Sequence, residues 1–167
     1  DMLTLDFFKE NSDQIHHTTN PFWTLLGDAT DLEKISAHHR EQLLFLNKEA
    51  ADFVYQYLDD LNILDTKLWQ PFVHLKFNTQ EKLNHFEDDK TLKKWLYQRE
   101  IAFATWVLVL PNFNSFPMLM TWKMLLNYSN DIFAHSDDLL VMVFTQTWYL
   151  FHHHEGETTF VKILNLK

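Results

Sequence analysis

The sequence predicts an α+β domain in which a helical N-terminal half packs on a mainly antiparallel sheet of about four or five strands, built largely from a C-terminal β-meander. Three observations lead there. Residues 48–64 place Ala50, Phe53, Val54, Tyr57, Leu58, Leu61 and Leu64 on one helical face, with Lys48, Glu49, Asp52, Gln56 and Asp59 opposite. Residues 139–144, 148–153 and 158–164 form aromatic and β-branched runs parted by Thr145-Gln146 and by a polar tract that holds Gly156, one of only 2 glycines. The stretch from Phe103 to Leu110 is apolar on both faces, as a strand covered from each side must be. All of 1–167 is read as one domain: an irregular arm over 1–30, a mostly helical stretch over 31–135 with strands near 72–77 and 102–110, and the β-meander over 139–164.

Each element has a local reason. In the arm, Leu5, Phe7, Phe8 and Ile15 suit a short helix, and Asn20-Pro21 interrupts the chain because the residue before proline avoids the α region. Leu32, Ile35, His39, Leu43 and Leu46 recur at helical steps and predict a helix over 31–46. Asn47 is placed to cap the next helix, with Glu49 in its first turn. Phe72 to Phe77 alternate as a strand entered from Pro71, Thr79 opens a short helix to about Phe86, and Leu92, Trp95, Leu96 and Arg99 resume helical spacing. Pro111 ends the central strand. Ser115 and Pro117 open a helix carrying Met118, Trp122, Leu125, Ser129 and Phe133, and Ser136-Asp137-Asp138 turn the chain into the meander.

Composition limits function. With 46% hydrophobic and 16% aromatic residues, the chain has ample core material. The net charge of −9 and the lack of any basic run argue against nucleic-acid binding and against an anionic membrane surface. A basic protein partner is the better electrostatic match. The absence of cysteine excludes disulfides, thiolate nucleophiles and Cys-held metal clusters, and suits a cytoplasmic setting. Residues 1–9 lack the pattern of a signal peptide, and the longest apolar stretch, Ile101 to Leu110, is too short to span a bilayer.

The chemistry-bearing residues are few. Gly27 and Gly156 are too far apart to write a dinucleotide fingerprint or a phosphate-cradling loop, and neither a Gly-x-Ser-x-Gly elbow nor a His-Glu-x-x-His motif occurs. The densest titratable tract is His152-His153-His154-Glu155-Gly156-Glu157. On an extended strand His152 and His154 share a face and His153 takes the other, so His152, His154 and Glu157 across the turn are the candidate metal ligands, with His135 or Asp137 as alternative third donors. His39, on an apolar helical stripe, is expected to be hydrogen-bonded at the core boundary. Trp23 and Trp69 beside loops, with the acidic pairs Asp88-Asp89 and Asp137-Asp138, are the candidate partner-binding surface. The expected function is therefore that of a non-enzymatic, cofactor-free protein that binds, regulates or neutralises another protein. The alternative is a metal-dependent hydrolase or small-ligand binder using the His152/His154 hairpin end or an aromatic pocket.

Overall fold

Strict alternation along four neighbouring strands builds the molecule. In a computed structural model, which describes residues 3–13, 36–65, 70–71, 77–84, 89–111, 117–134 and 138–163, strand β6 (Trp106–Pro111) sends Val107 and Val109 to one core and Leu108 and Leu110 to another. Strand β8 (Leu139–Val143) repeats the pattern with Leu139, Val141 and Val143 against Leu140 and Met142. So do β9 (Trp148–His153), with Trp148 and Leu150 against Tyr149 and Phe151, and β7 (Met118–Thr121), with Met118 and Met120 against Leu119. Side chains of period two that are apolar at every position require cover on both faces.

That cover comes from helices on each side. One face carries α1 (Leu5–Glu10) and α3 (Lys48–Asp60), which supply Phe8, Ala50, Val54 and Leu58 to one core. The other carries α4 (Asp89–Tyr97), α5 (Trp122–Asn127) and α6 (Ser129–Ala134), which supply Leu92, Leu96, Trp122, Leu125, Ile132 and Phe133 to the second. Trp122 meets Trp148 edge to face at 5.6 Å in this second core, the geometry that ring quadrupoles favour. A short helix, α2 (Ala37–Arg40), sits at its margin, where His39 Nδ1 and the Tyr128 hydroxyl are hydrogen-bonded at 2.9 Å.

Four further strands, β1 (Ser12–Asp13), β2 (Leu43–Leu46), β5 (Phe77–Asn84) and β10 (Glu157–Ile163), complete an eight-stranded sheet. Its order is β1-β2-β7-β6-β8-β9-β10-β5. Every pairing in it is antiparallel. A separate two-stranded pairing joins β3 (Leu64–Asp65) to β4 (Gln70–Pro71).

The α+β class and the antiparallel meander hold, but the expected layout needs correction. The sheet is larger than four or five strands because the first half of the chain contributes to it, and helices are not confined to that half: three of the six among the described residues lie beyond residue 88. Leu43–Leu46 is a strand, not the end of a helix, because Leu43 and Phe45 face one core while Leu46 faces the other and β7 supplies the hydrogen-bonded partner. Met118–Thr121 is likewise a strand, and its helix begins one residue later, capped by Thr121 Oγ1 on the Met124 N–H at 3.3 Å. Phe77–Asn84 is an edge strand in place of a helix from Thr79. It runs along β10 from Asn84 opposite Glu157 to Phe77 opposite Ile163, and its exposed Gln80, Glu81 and Lys82 suit a strand at the edge of the sheet formed by the described residues. Residues 72–76 of the strand expected at 72–77 lie outside the described residues, as do 14–30 of the arm and 31–35 of the helix expected over 31–46.

Side-chain hydrogen bonds fix α3 over its face. The Asn47 side chain accepts from the Ala50 N–H at 2.9 Å as the helix cap and donates to Asn11 Oδ1 at 3.2 Å. The Tyr55 hydroxyl donates to the Pro111 carbonyl at 2.9 Å, and the Tyr57 hydroxyl donates to Gln146 Oε1 at 2.7 Å. Gln146 itself takes φ 55° in the β8–β9 turn, an uncommon left-handed position for a residue with a Cβ. On the opposite face, Arg99 lies over the Trp95 ring at 4.3 Å and pairs with Glu81 of β5, tying α4 to the sheet edge.

Burial holds the hydroxyls of Tyr55 and Tyr149 well above the ordinary tyrosine range, with neighbouring Tyr57 adding to the rise at Tyr149. Folded values above unfolded ones mean that this stability is fully present below the unfolded pKa of about 10 and is lost as pH rises beyond it. Urea unfolding from pH 8 to 11 should therefore show stability falling above about pH 10, with a shallower fall in Tyr149→Phe. Equal slopes in the two proteins would remove Tyr149 from the account.

Candidate functional site

The histidine tract leaves the sheet sooner than alternation alone implies. Strand β9 ends at His153, and residues 154–156 form the turn into β10. Gly156 takes φ 86°, and its N–H closes the turn on the His153 carbonyl at 2.9 Å. Only glycine adopts that conformation without a steric cost.

This early exit decides where the histidines go. His152 stays in the strand, 5% exposed, on the α4–α6 side of the sheet. Its Nδ1 is hydrogen-bonded with Thr158 Oγ1 at 3.1 Å, and its ring meets Phe133 edge-on at 4.8 Å. His154 belongs to the turn, where its backbone N–H donates to Asp138 Oδ1 at 2.9 Å and its Nδ1 lies 3.0 Å from the same oxygen. The His153 and His154 rings stand 4.1 Å apart, tilted by 35°. The Glu155 N–H donates to His153 Nδ1 at 3.2 Å.

Among the described residues, the donors that gather are Asp138, His153 and His154, with one ligand atom of each within 4.8 Å of the others. The strand expected over 148–153 ends where β9 ends; the site was misplaced because strand alternation was carried on to His154, which lies in the turn beside His153 and Asp138. Of the other expected ligands, His152 is engaged with Thr158 in the interior, and Glu157 points its carboxylate at Lys82 of β5, 3.4 Å away. His135 and Asp137 lie outside the described residues.

The expected partner surface is only partly visible. Trp23, Trp69, Asp88 and Asp137 lie outside the described residues; Asp89 opens α4, and Asp138 is a buried residue at the histidine turn. A different surface was missed. Tyr97 and Phe103 are 63% and 50% exposed, and their rings lie 5.9 Å apart. Glu100 at φ 58° reverses the chain after α4 and brings Phe103 back to Tyr97. Lys90, Lys93 and Lys94 precede Tyr97 by seven, four and three residues and so share its helical face. Lys123 adjoins Phe103, whose carbonyl accepts its N–H at 3.1 Å. The spacing of Lys90, Lys93, Lys94 and Tyr97 was readable in the sequence, whereas the return of Phe103 was not.

Charge divides between the two helical layers. Helices α1 and α3 carry two lysines against six carboxylates, and α4, α5 and α6 carry four lysines against two carboxylates. Counted on these helices alone, the α4–α6 layer is net positive although the chain as a whole carries −9. No helix is long and apolar enough to cross a membrane among the described residues.

The two kinds of histidine should separate by mutation. His152→Ala should lower stability by about 1–3 kcal/mol, because Thr158 loses its buried partner and Phe133 a packed ring. His153→Ala and His154→Ala should each stay within about 0.5–1 kcal/mol of wild type. Thermal and urea unfolding of the three variants checks this; a silent His152→Ala would contradict its interior role.

No family model, curated protein or solved structure matches this chain.

Proposed function

We propose that this chain is a non-enzymatic protein-binding module that docks an acidic segment of another protein on its α4 face. The observation that carries the reading is the exposed pair Tyr97 and Phe103, rings 5.9 Å apart and tilted by 44°, on a helical layer that carries four lysines. Aromatic anchors supply most of the energy at protein interfaces, and surrounding charge sets partner choice and encounter rate. Two large apolar rings exposed side by side are costly for a surface with no partner.

The basic partner expected from net charge would instead face α1 and α3, where the carboxylates are concentrated. That face has Leu61, 48% exposed, as its large apolar anchor among the described residues. The α4 face combines anchor and charge better, so the acidic partner is preferred. A cytoplasmic working place is part of the same proposal, supported by the lack of cysteine.

Photo-cross-linking tests the reading in the protein's native cells. A benzoylphenylalanine placed at Tyr97 should capture one protein through an acidic peptide, less efficiently in high salt and after Lys93→Glu/Lys94→Glu. The same group at Gln56, on α3, should not capture it. Capture of nucleic acid alone, or equal capture from both positions, would contradict the proposal.

A further inference from the structure

We propose that Asp138, His153 and His154 form a binding site for a divalent transition-metal ion, separate from the α4 docking face. The donor set is two imidazoles and one carboxylate, which suits Zn²⁺, Co²⁺, Ni²⁺ or Cu²⁺; Ca²⁺ and Mg²⁺ call for oxygen ligands throughout.

Geometry supports the site in three ways. First, the donors come from two separated chain segments that the sheet holds in register, since Leu139 of β8 pairs with His152 of β9. The residues just beyond that pair, Asp138 and His153, therefore emerge side by side at the same end of adjacent strands. Second, the anionic ligand is already oriented: Asp138 is 8% exposed, and its Oδ1 accepts the His154 backbone N–H. A carboxylate fixed by its own surroundings loses little freedom when it takes up an ion. Third, the imidazoles are at the surface, with the His153 and His154 side chains partly and largely open to solvent, so an ion has a path in.

The fit requires a small movement. Metal–nitrogen bonds of about 2.0–2.1 Å in a tetrahedron set ligand atoms about 3.3 Å apart. The present spread of up to 4.8 Å must therefore close by about 1.5 Å, a side-chain adjustment within reach of surface imidazoles. Three protein donors also leave a coordination position for water or for an external oxygen or nitrogen ligand. Glu155, whose carboxylate lies 4.0 Å from His153 Nδ1, is the nearest further carboxylate in the turn.

The sequence pattern gave a different set, His152, His154 and Glu157, and the two sets make opposite predictions. Isothermal calorimetry with Zn²⁺ and Ni²⁺ on the chelator-treated full chain should give one ion per chain. His153→Ala and Asp138→Asn should each weaken binding at least tenfold, about 1.4 kcal/mol, while Glu157→Gln should leave it unchanged. Amide NMR spectra with substoichiometric Ni²⁺ should show broadening centred on 138 and 153–155, which separates this site from the other surface histidines. Because Asp138→Asn also alters the turn, His153→Ala carries the test if the Asp138 variant unfolds. Binding that survives His153→Ala, that is abolished by Glu157→Gln, or that is matched by Mg²⁺ would overturn the proposal.

Discussion

Burial of β6, β8 and β9 on both faces is the constraint on which the rest depends. Each of these strands places apolar side chains alternately into two cores, so neither face of the sheet can be left to water. Covering one face alone would expose Leu108, Leu110, Leu140, Met142, Tyr149 and Phe151, or else their neighbours on the other side. Fully burying a side chain of this kind is worth about 1.5–3 kcal/mol, and the loss of a whole row is comparable to the entire stability of an ordinary domain. Helices must therefore approach from both sides, and the chain satisfies this by sending α1 and α3 to one face and α4 to α6 to the other.

The same constraint explains what could be read in advance. The meander was legible because Leu139–Val143, Trp148–His153 and Glu157–Ile163 are long enough to show period two and are parted by turn residues. Helix α3 was legible because thirteen residues display a whole amphipathic face behind the Asn47 cap. Short or edge elements were not. Leu43–Leu46 and Met118–Thr121 are four residues each, and an apolar run of that length fits a helical spacing as easily as a strand. Among the described side chains of strand β5, Leu83 is the one that packs against a core, and the strand's place comes from backbone pairing with β10, which leaves no trace in hydrophobic pattern.

The candidate sites show the same limit at finer scale. Strand alternation carried past the end of β9 puts His154 on the face of His152, whereas the turn at 154–156 sets it beside His153 and Asp138. The residue that turned inward, His152, became a hydrogen-bonded part of the core beside Phe133. Net charge was equally indirect, since an acidic total is compatible with a lysine-bearing face once the sheet separates α3 from α4. The exposed Tyr97–Phe103 pair depends on the reversal at Glu100, and no composition or periodicity encodes that contact.

Amide hydrogen exchange tests the two-faced sheet most directly. The account predicts the slowest exchange in β6, β8 and β9, with protection extending into β7 at residues 118–121 and β2 at 43–46, and faster exchange at the β1 and β5 edges. Protection limited to β8, β9 and β10, with 43–46 and 118–121 exchanging freely, would contradict an eight-stranded sheet covered on both sides.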